Sequence, residues 1–97
     1  MTQTIEAAGL TFLCDDPLEV WRAQTLAEKE PGTIEWLNEL QPGDVFFDVG
    51  ANIGVYSLYA AKRGAKVYAF EPHAINALHL ARNAKHNGLV ITITNMD

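Results

Sequence analysis

Residues 48–57, DVGANIGVYS, decide how this chain is read. The apolar run VFFDV at 45–49 leads into them, and Ile53 to Lys62 behind them is apolar nearly all round. Two glycines, Gly50 and Gly54, stand at the junction, where glycine permits positive φ and lets a ligand approach the backbone. The pattern predicts a buried strand, a tight turn and a buried helix. Working outward, KVYAF at 66–70 and LVITIT at 89–94 supply two further strands. Continuous apolar runs of this kind suit parallel strands covered on both faces. A second helix lies between them, with Ala74, Ala77, Leu78, Ala81 and Ala84 marking its inner face and Arg82, Lys85 and His86 directed to water. The NG pair at 87–88 ends it. Strand, helix, strand, helix, strand predicts a doubly wound α/β fold with right-handed crossovers and strand order 3-2-1.

Upstream of residue 43 the character changes. Residues 1–42 read as a separate strand and helix segment, and 43–97 as the start of the α/β domain. Ile5 to Leu13 predicts one short strand. Asp16 is a good N-cap with Pro17 at the first helical position, and Leu18, Trp21 and Thr25 share one face of the helix that follows. Thr33 is placed to cap another helix, with Ile34, Leu37 and Leu40 at helical spacing, and QPGD at 41–44 closes it.

The chain has 97 residues, so it holds one domain at most. Hydrophobic content of 48% with 20% charged residues argues for a globular core and against disorder. A net charge of -5 without a Lys/Arg cluster argues against nucleic acid as a partner, because phosphate neutralisation dominates such binding. The first residues lack the apolar stretch of a secretory signal, and the most apolar window is broken by Asp48, Gly50, Asn52 and Gly54, so no membrane span is expected. The expected location is cytoplasmic. Cys14, the single cysteine, reads as a half-buried hydrophobe.

In a doubly wound sheet, ligands sit outside the carboxyl ends of the strands. Glu71 ends the second core strand 21 positions after Gly50, where an acidic residue grips the two ribose hydroxyls of an adenosine cofactor. The loop reads D-x-G-x-N-x-G. A dinucleotide fingerprint would need glycines where Asn52 and Val55 stand. Asp48 would be poorly placed for a pyrophosphate. It suits the ammonium and sulfonium of S-adenosylmethionine, and it can also brace the loop by accepting backbone N–H bonds.

The loop followed by FEP at 70–72 resembles the class I S-adenosylmethionine-dependent methyltransferases, and FFDVGANIGVYSLYAAK…VYAFEP…N…L…N…N resembles their FkbM-type family. KEPGTIEWL at 29–37 is similar to the segment preceding the loop there. The resemblance runs from about Trp21 to Leu89. It implies a Rossmann-like methyltransferase fold and methyl transfer to a hydroxyl oxygen of a sugar or natural product, a small-molecule acceptor. By position, Asp48, Gly50, Asn52 and Gly54 would form the cofactor loop, Glu71 the ribose clamp, and Pro72 would lie beside the adenine. Lys29, Glu30 and Thr33 would approach the open side of the pocket, and Asp97 falls near the place of an adenine-contacting acid. Only the first three of the family's seven strands are expected within these residues, so the segment is a cofactor-binding half. The acceptor pocket and any general base belong to later strands, and the short chain alone is expected to be inactive.

No catalytic base can be nominated. His73, His79 and His86 lie on one helix at spacings of six and seven, unsuited to a metal site, and read as solvated. Asp15 with Asp16, and Glu28 with Glu30, read as helix ends and surface. Trp21 and Trp36 read as packing residues. A bare apolar edge along VFFDV predicts self-association or membership of a longer protein. Competing functions are a nicotinamide-dependent oxidoreductase, an RNA methyltransferase, and a non-catalytic cofactor-binding module.

Overall fold

The computed structural model describes residues 1–26 and 31–96, with Pro31 described by its backbone alone. Glu28, Lys29, Glu30 and Asp97, named above, fall outside the described residues. The element order is β1 (Gln3–Ala7), β2 (Leu10–Cys14), α1 (Pro17–Gln24), α2 (Pro31–Leu37), β3 (Val45–Val49), α3 (Val55–Lys62), β4 (Lys66–Phe70), α4 (Ala74–His86) and β5 (Thr92–Thr94). Sheet order β3-β4-β5, all parallel, reproduces the expected 3-2-1 arrangement. This is an α/β Rossmann-like sheet.

The period of two along β3 and β4 assigns the faces. Phe46, Val67 and Ala69 are buried and Asp48 is half-buried against the helices, whereas Val45, Phe47 and Val49 are exposed. Phe47 stacks on Tyr68 and Phe70 with ring centroids 5.5 and 6.3 Å apart, across the register Phe47↔Tyr68. Among the described residues only one face is covered, so the expectation of a sheet buried on both faces does not hold. Phe47 keeps 63% of its surface exposed and Val49 82%.

The N-terminal strand is a hairpin. β1 and β2 pair antiparallel from Gln3↔Cys14 to Ala7↔Leu10. Ala8 and Gly9 turn the chain with φ of 53° and 76°, the doubly positive geometry that matches hairpin twist. Ala-Gly is a weak hairpin signal, which explains why one strand was expected instead of two. The free edge of β2 is satisfied by side chains of α4 and of its C-cap Asn87. Asn87 Oδ1 accepts from Thr11 N at 2.9 Å, and Asn87 Nδ2 donates to Thr11 O at 2.7 Å. Asn83 Oδ1 accepts from Leu13 N at 2.8 Å, and Arg82 Nη2 donates to Leu13 O at 2.9 Å. One helix face therefore replaces a missing strand.

That docking rotates α4 from its expected orientation. Its buried residues are Ala77, Leu80, Asn83 and Ala84, while Leu78 is 68% exposed and Arg82 half-buried. The alanine spacing misled because the polar Asn83 takes an inner position, with Asn87 as the half-buried C-cap. On α1, Asp16 caps as expected, accepting from Glu19 N at 2.8 Å, with Pro17 in the first turn. The buried residues of α1 are Glu19 and Ala23, not Leu18 and Trp21. Trp36 is also exposed, tilted against Phe46 at 5.7 Å, so neither tryptophan is a core residue. Helix α2 begins at Pro31, so Thr33 lies within it and does not cap it. Cys14 is fully buried, and burial chiefly pushes its thiol up to about 11, so it stays protonated and inert. Leu10, Phe12, Cys14, Ala23 and Leu26 share one apolar core with Ala51, Ile53, Leu58, Ala69 and Leu80. The segments before and after residue 43 are thus packed together. No helix among the described residues is long and apolar enough to cross a membrane.

Candidate functional site

The turn after β3 is built from residues that share the strand ends of β3 and β4. Gly50 N and Ala51 N both donate to Phe70 O, at 2.7 and 3.3 Å. Gly50, Asn52 and Gly54 all have positive φ (75°, 53° and 96°), so three left-handed residues fold the chain back within five positions. Asn52 accommodates this with a local bond, its Nδ2 donating to Gly50 O at 3.1 Å. The two glycines have different reasons. A Cβ on Gly50 would meet nothing within 4 Å, which leaves open space in front of the backbone. A Cβ on Gly54 would fall 2.2 Å from Leu80 Cδ1 and 2.8 Å from Leu58 Cδ1. Gly54 serves close packing of α3 and α4, and Gly50 keeps a surface accessible.

Asp48 is held by α3. Ser57, fully buried, donates its hydroxyl to Asp48 Oδ2 at 2.7 Å and its backbone also bonds the carboxylate. Burial raises the Asp48 pKa, the Ser57 hydrogen bonds oppose this, and the nearby Glu71 charge adds to the rise. Ser57 is a site residue that the sequence reading missed, although it lies inside the opening stretch. Only a first-turn position facing back toward the strand could have marked it.

Glu71 is buried and ties the loop to α4. Its Oε1 accepts from Asn52 N at 2.8 Å and its Oε2 from His73 N at 2.8 Å. Each oxygen keeps a lone pair for a further donor. Pro72 is exposed, and its carbonyl, with that of Glu71, accepts from Asn95 Nδ2. A cleft of about 190 Å3 opens over the loop, lined by Asp48, Gly50, Asn52 and Tyr56 from one side and Arg22 and Thr25 from α1. Asp48, Gly50 and Asn52 are therefore brought to one cavity wall. Gly54, Glu71 and Pro72 are not among its lining residues, and Glu71 braces the loop through Asn52 N. Ligand pockets usually begin near roughly 300 Å3, so this cleft seats part of a cofactor-sized molecule. A wider cavity of about 320 Å3 beside Met1, Cys14 and Trp21 lacks the loop and its carboxylates.

The histidines separate. His73 caps α4, its Nδ1 accepting from Asn76 N at 3.3 Å. His86 is exposed. His79 is not solvated: its Nδ1 lies 2.5 Å from Glu19 Oε2 and its Nε2 3.1 Å from Asp15 Oδ2. Packing of α1 toward α4 brings the three together. They are metal-ligating types within reach of one another, but the two ring nitrogens face different carboxylates on opposite edges of the ring. As the side chains stand, each ring nitrogen is taken by a carboxylate, so the three residues tie the start of α1 to α4.

With the geometry in place, the comparisons are informative. No family model matches the chain. It is 29% identical over its whole length to a tRNA (guanine(37)-N(1))-methyltransferase of Leishmania major, covering 14% of that protein. It is 52% identical over 48 residues, 47% of the chain, to the 31-O-demethyl-FK506 methyltransferase FkbM of Streptomyces tacrolimicus, covering 18% of it. It is 33% identical over 87% of its length to the hexuronic acid methyltransferase AglP of Haloferax volcanii, covering 35% of that chain. These homologues are methyltransferases. Among solved structures, 99% of the chain superposes on 24% of the Pyrococcus abyssi tRNA (uracil-54, C5)-methyltransferase bound to S-adenosyl-L-homocysteine, with a TM-score of 0.74 and 14% identity. Likewise, 95% of the chain superposes on 31% of the SAM-dependent methyltransferase of Agrobacterium tumefaciens, with a TM-score of 0.72 and 23% identity. The fold is that of the Rossmann-like methyltransferases. The chain spans about a seventh to a third of the length of these curated relatives.

One expectation is overturned. The net charge argued against a nucleic-acid partner, yet a relative aligned over the whole chain is a tRNA methyltransferase. A charge count over this segment weighs only its own surface, and phosphate contacts are a property of a whole protein. The exclusion does not stand.

Proposed function

We propose that this chain is the cofactor-binding half of an S-adenosylmethionine-dependent methyltransferase, with residues 43–97 holding the cofactor and residues 1–42 packed beside it. The observation that carries the reading is the pair of carboxylates, Asp48 and Glu71, at the ends of two adjacent parallel strands on either side of a loop that keeps Gly50 open. The residues fit the group. Asp48 would face the sulfonium and ammonium of the cofactor, the backbone at Gly50 and Asn52 would lie along it, and Glu71 would use its spare lone pairs on the ribose hydroxyls. Gly54 and Pro72 would act through the shape of the loop and of the strand end. When bound, the cofactor supplies an electrophilic methyl carbon. The chain's residues would orient it and offset its positive charge, which contributes through positioning and preorganised electrostatics.

For the acceptor, the reading that continues the loop motif is a hydroxyl oxygen of a sugar or natural product. It is supported by the 52% identity to the Streptomyces enzyme across the loop-bearing 48 residues and by the likeness to the hexuronic acid enzyme. A second reading, transfer to RNA, is favoured by the alignment of the full chain, hairpin included, with the Leishmania enzyme. Calorimetric titration with S-adenosylhomocysteine tests the cofactor: no heat from the chain or from a full-length protein carrying it would refute the reading. Transfer of a radiolabelled methyl group from the cofactor, followed by partition into RNA and small-molecule fractions, separates the two acceptors.

A further inference from the structure

The α1 side of the cleft carries a positive group that no described residue pairs with. Arg22 is half-buried and lines the cleft with Thr25, and its guanidinium has no hydrogen-bond or ion-pair partner among the described residues. The other two arginines are engaged. Arg63 Nη2 donates to Asn38 O at 2.6 Å, and Arg82 bonds Asp15 and Leu13 O. Lys62 likewise donates to Ala8 O. A guanidinium offers five N–H donors, and those of Arg22 are not among the buried unpaired atoms, so they stay accessible at the cleft. The same cleft carries Asp48, of opposite charge, which is bonded to Ser57 and not to Arg22. A cavity lined by a positive and a negative group that are not paired with each other is complementary to a zwitterion. If its two charges were meant for each other, a direct ion pair would be expected.

We propose that Arg22 anchors the carboxylate of the amino-acid end of the ligand seated on this loop, while Asp48 takes its cationic groups. The inference rests on the cofactor reading above and extends it to a specificity residue on α1. An arginine fork matches a carboxylate in two parallel bonds, which fixes orientation as well as adding affinity. The nucleoside then lies toward the ends of β3 and β4, and α1 becomes part of the binding wall instead of a mere cover.

The test compares two ligands on the wild-type, Arg22→Ala and Arg22→Lys proteins by calorimetry. S-adenosylhomocysteine carries the amino-acid end, and 5′-methylthioadenosine lacks it. The expected result is a loss of tenfold or more in S-adenosylhomocysteine affinity for Arg22→Ala, partial recovery for Arg22→Lys, and unchanged 5′-methylthioadenosine affinity in all three. Equal losses for both ligands, or no loss for either, would overturn the assignment. If the wild type binds neither ligand, the cofactor reading itself fails and this assignment falls with it. If the wild type binds both and the variants do not discriminate, only the role of Arg22 is refuted. Thermal melts of the variants, expected to match the wild type, separate a binding loss from unfolding.

Discussion

Asn52 N donates to Glu71 Oε1 at 2.8 Å, so the left-handed residue at the centre of the loop is pinned by the acid that ends the neighbouring strand. Sequence spacing pairs these residues only as two contacts to one ligand. In the fold they also touch each other, and Glu71 reaches His73 N with its other oxygen. Glu71→Gln keeps the shape but turns one acceptor into a donor facing the His73 N–H. The expected cost is about 1–3 kcal/mol of stability, with a larger loss of cofactor affinity than the stability change alone accounts for. Urea denaturation and calorimetry on the same protein check this. A stable variant with wild-type affinity would remove Glu71 from both roles.

The two loop glycines separate packing from access. Gly54→Ala places a methyl group against Leu80 and Leu58 at a φ of 96°. Overpacking and left-handed strain together are expected to cost roughly 2–5 kcal/mol. Gly50→Ala meets open space and carries only the strain, about 1–2 kcal/mol. The order reverses for ligand affinity, because the new Cβ on Gly50 occupies the face where the cofactor would lie. Denaturation midpoints and titrations of the two variants should therefore rank oppositely.

Asp48 sets opposed demands on stability and binding. Its pKa is raised, chiefly by burial, so its ionised form is disfavoured by folding. The sign follows: its stabilising contribution is fully present below the unfolded value of about 3.9 and is lost as pH rises through the folded value. Asp48→Asn is thus expected to raise stability at pH 7, Ser57 still donating to the amide oxygen. It should weaken S-adenosylmethionine, with its fixed sulfonium charge, more than S-adenosylhomocysteine. Wild-type affinity for the methyl donor should likewise fall on acidification as Asp48 protonates. Melting curves at pH 4 and 7, with titrations of both ligands, provide the measurements.

Legibility in the sequence followed the physics of each signal. The β3–α3–β4–α4–β5 order was readable because apolar runs and turn residues are local, and strand order followed from handedness. Asp48, Gly50 and Asn52 reach one cleft because three residues in one turn must. What stayed hidden was long-range. Ser57 matters only because α3 folds back onto β3, and Arg22 only because α1 borders a loop nearly 30 positions later. The inner face of α4 was misassigned because the alanines and Leu78 were read as the buried stripe, whereas Asn83 takes an inner position and Asn87 does more than end the helix. Their partners are backbone groups 70 and 76 residues away, which no periodicity can report.

Those asparagines support the last prediction. Asn83 is fully buried, accepts from Leu13 N and donates through Nδ2 to Ile53 O at 3.0 Å. It thereby joins the hairpin, α4 and the β3–α3 loop through a single amide. Asn83→Ala leaves the buried Ile53 O and the part-buried Leu13 N without their amide partner, an expected loss of about 2–4 kcal/mol. Asn87→Ala breaks the pair of bonds with Thr11, neither of which is buried as the Asn83–Ile53 bond is, so water can replace both and about 1 kcal/mol is expected. Asn83→Asp is the sharper variant. It preserves acceptance from Leu13 but sets an oxygen against Ile53 O, so it should destabilise about as much as alanine despite its near-identical size. Amide hydrogen exchange should locate the change: Leu13 N should lose protection in Asn83→Ala and retain it in Asn87→Ala, while Thr11 N behaves in the opposite way. Equal protection at both amides in both variants would show that β2 is held by its pairing with β1 and not by the helix.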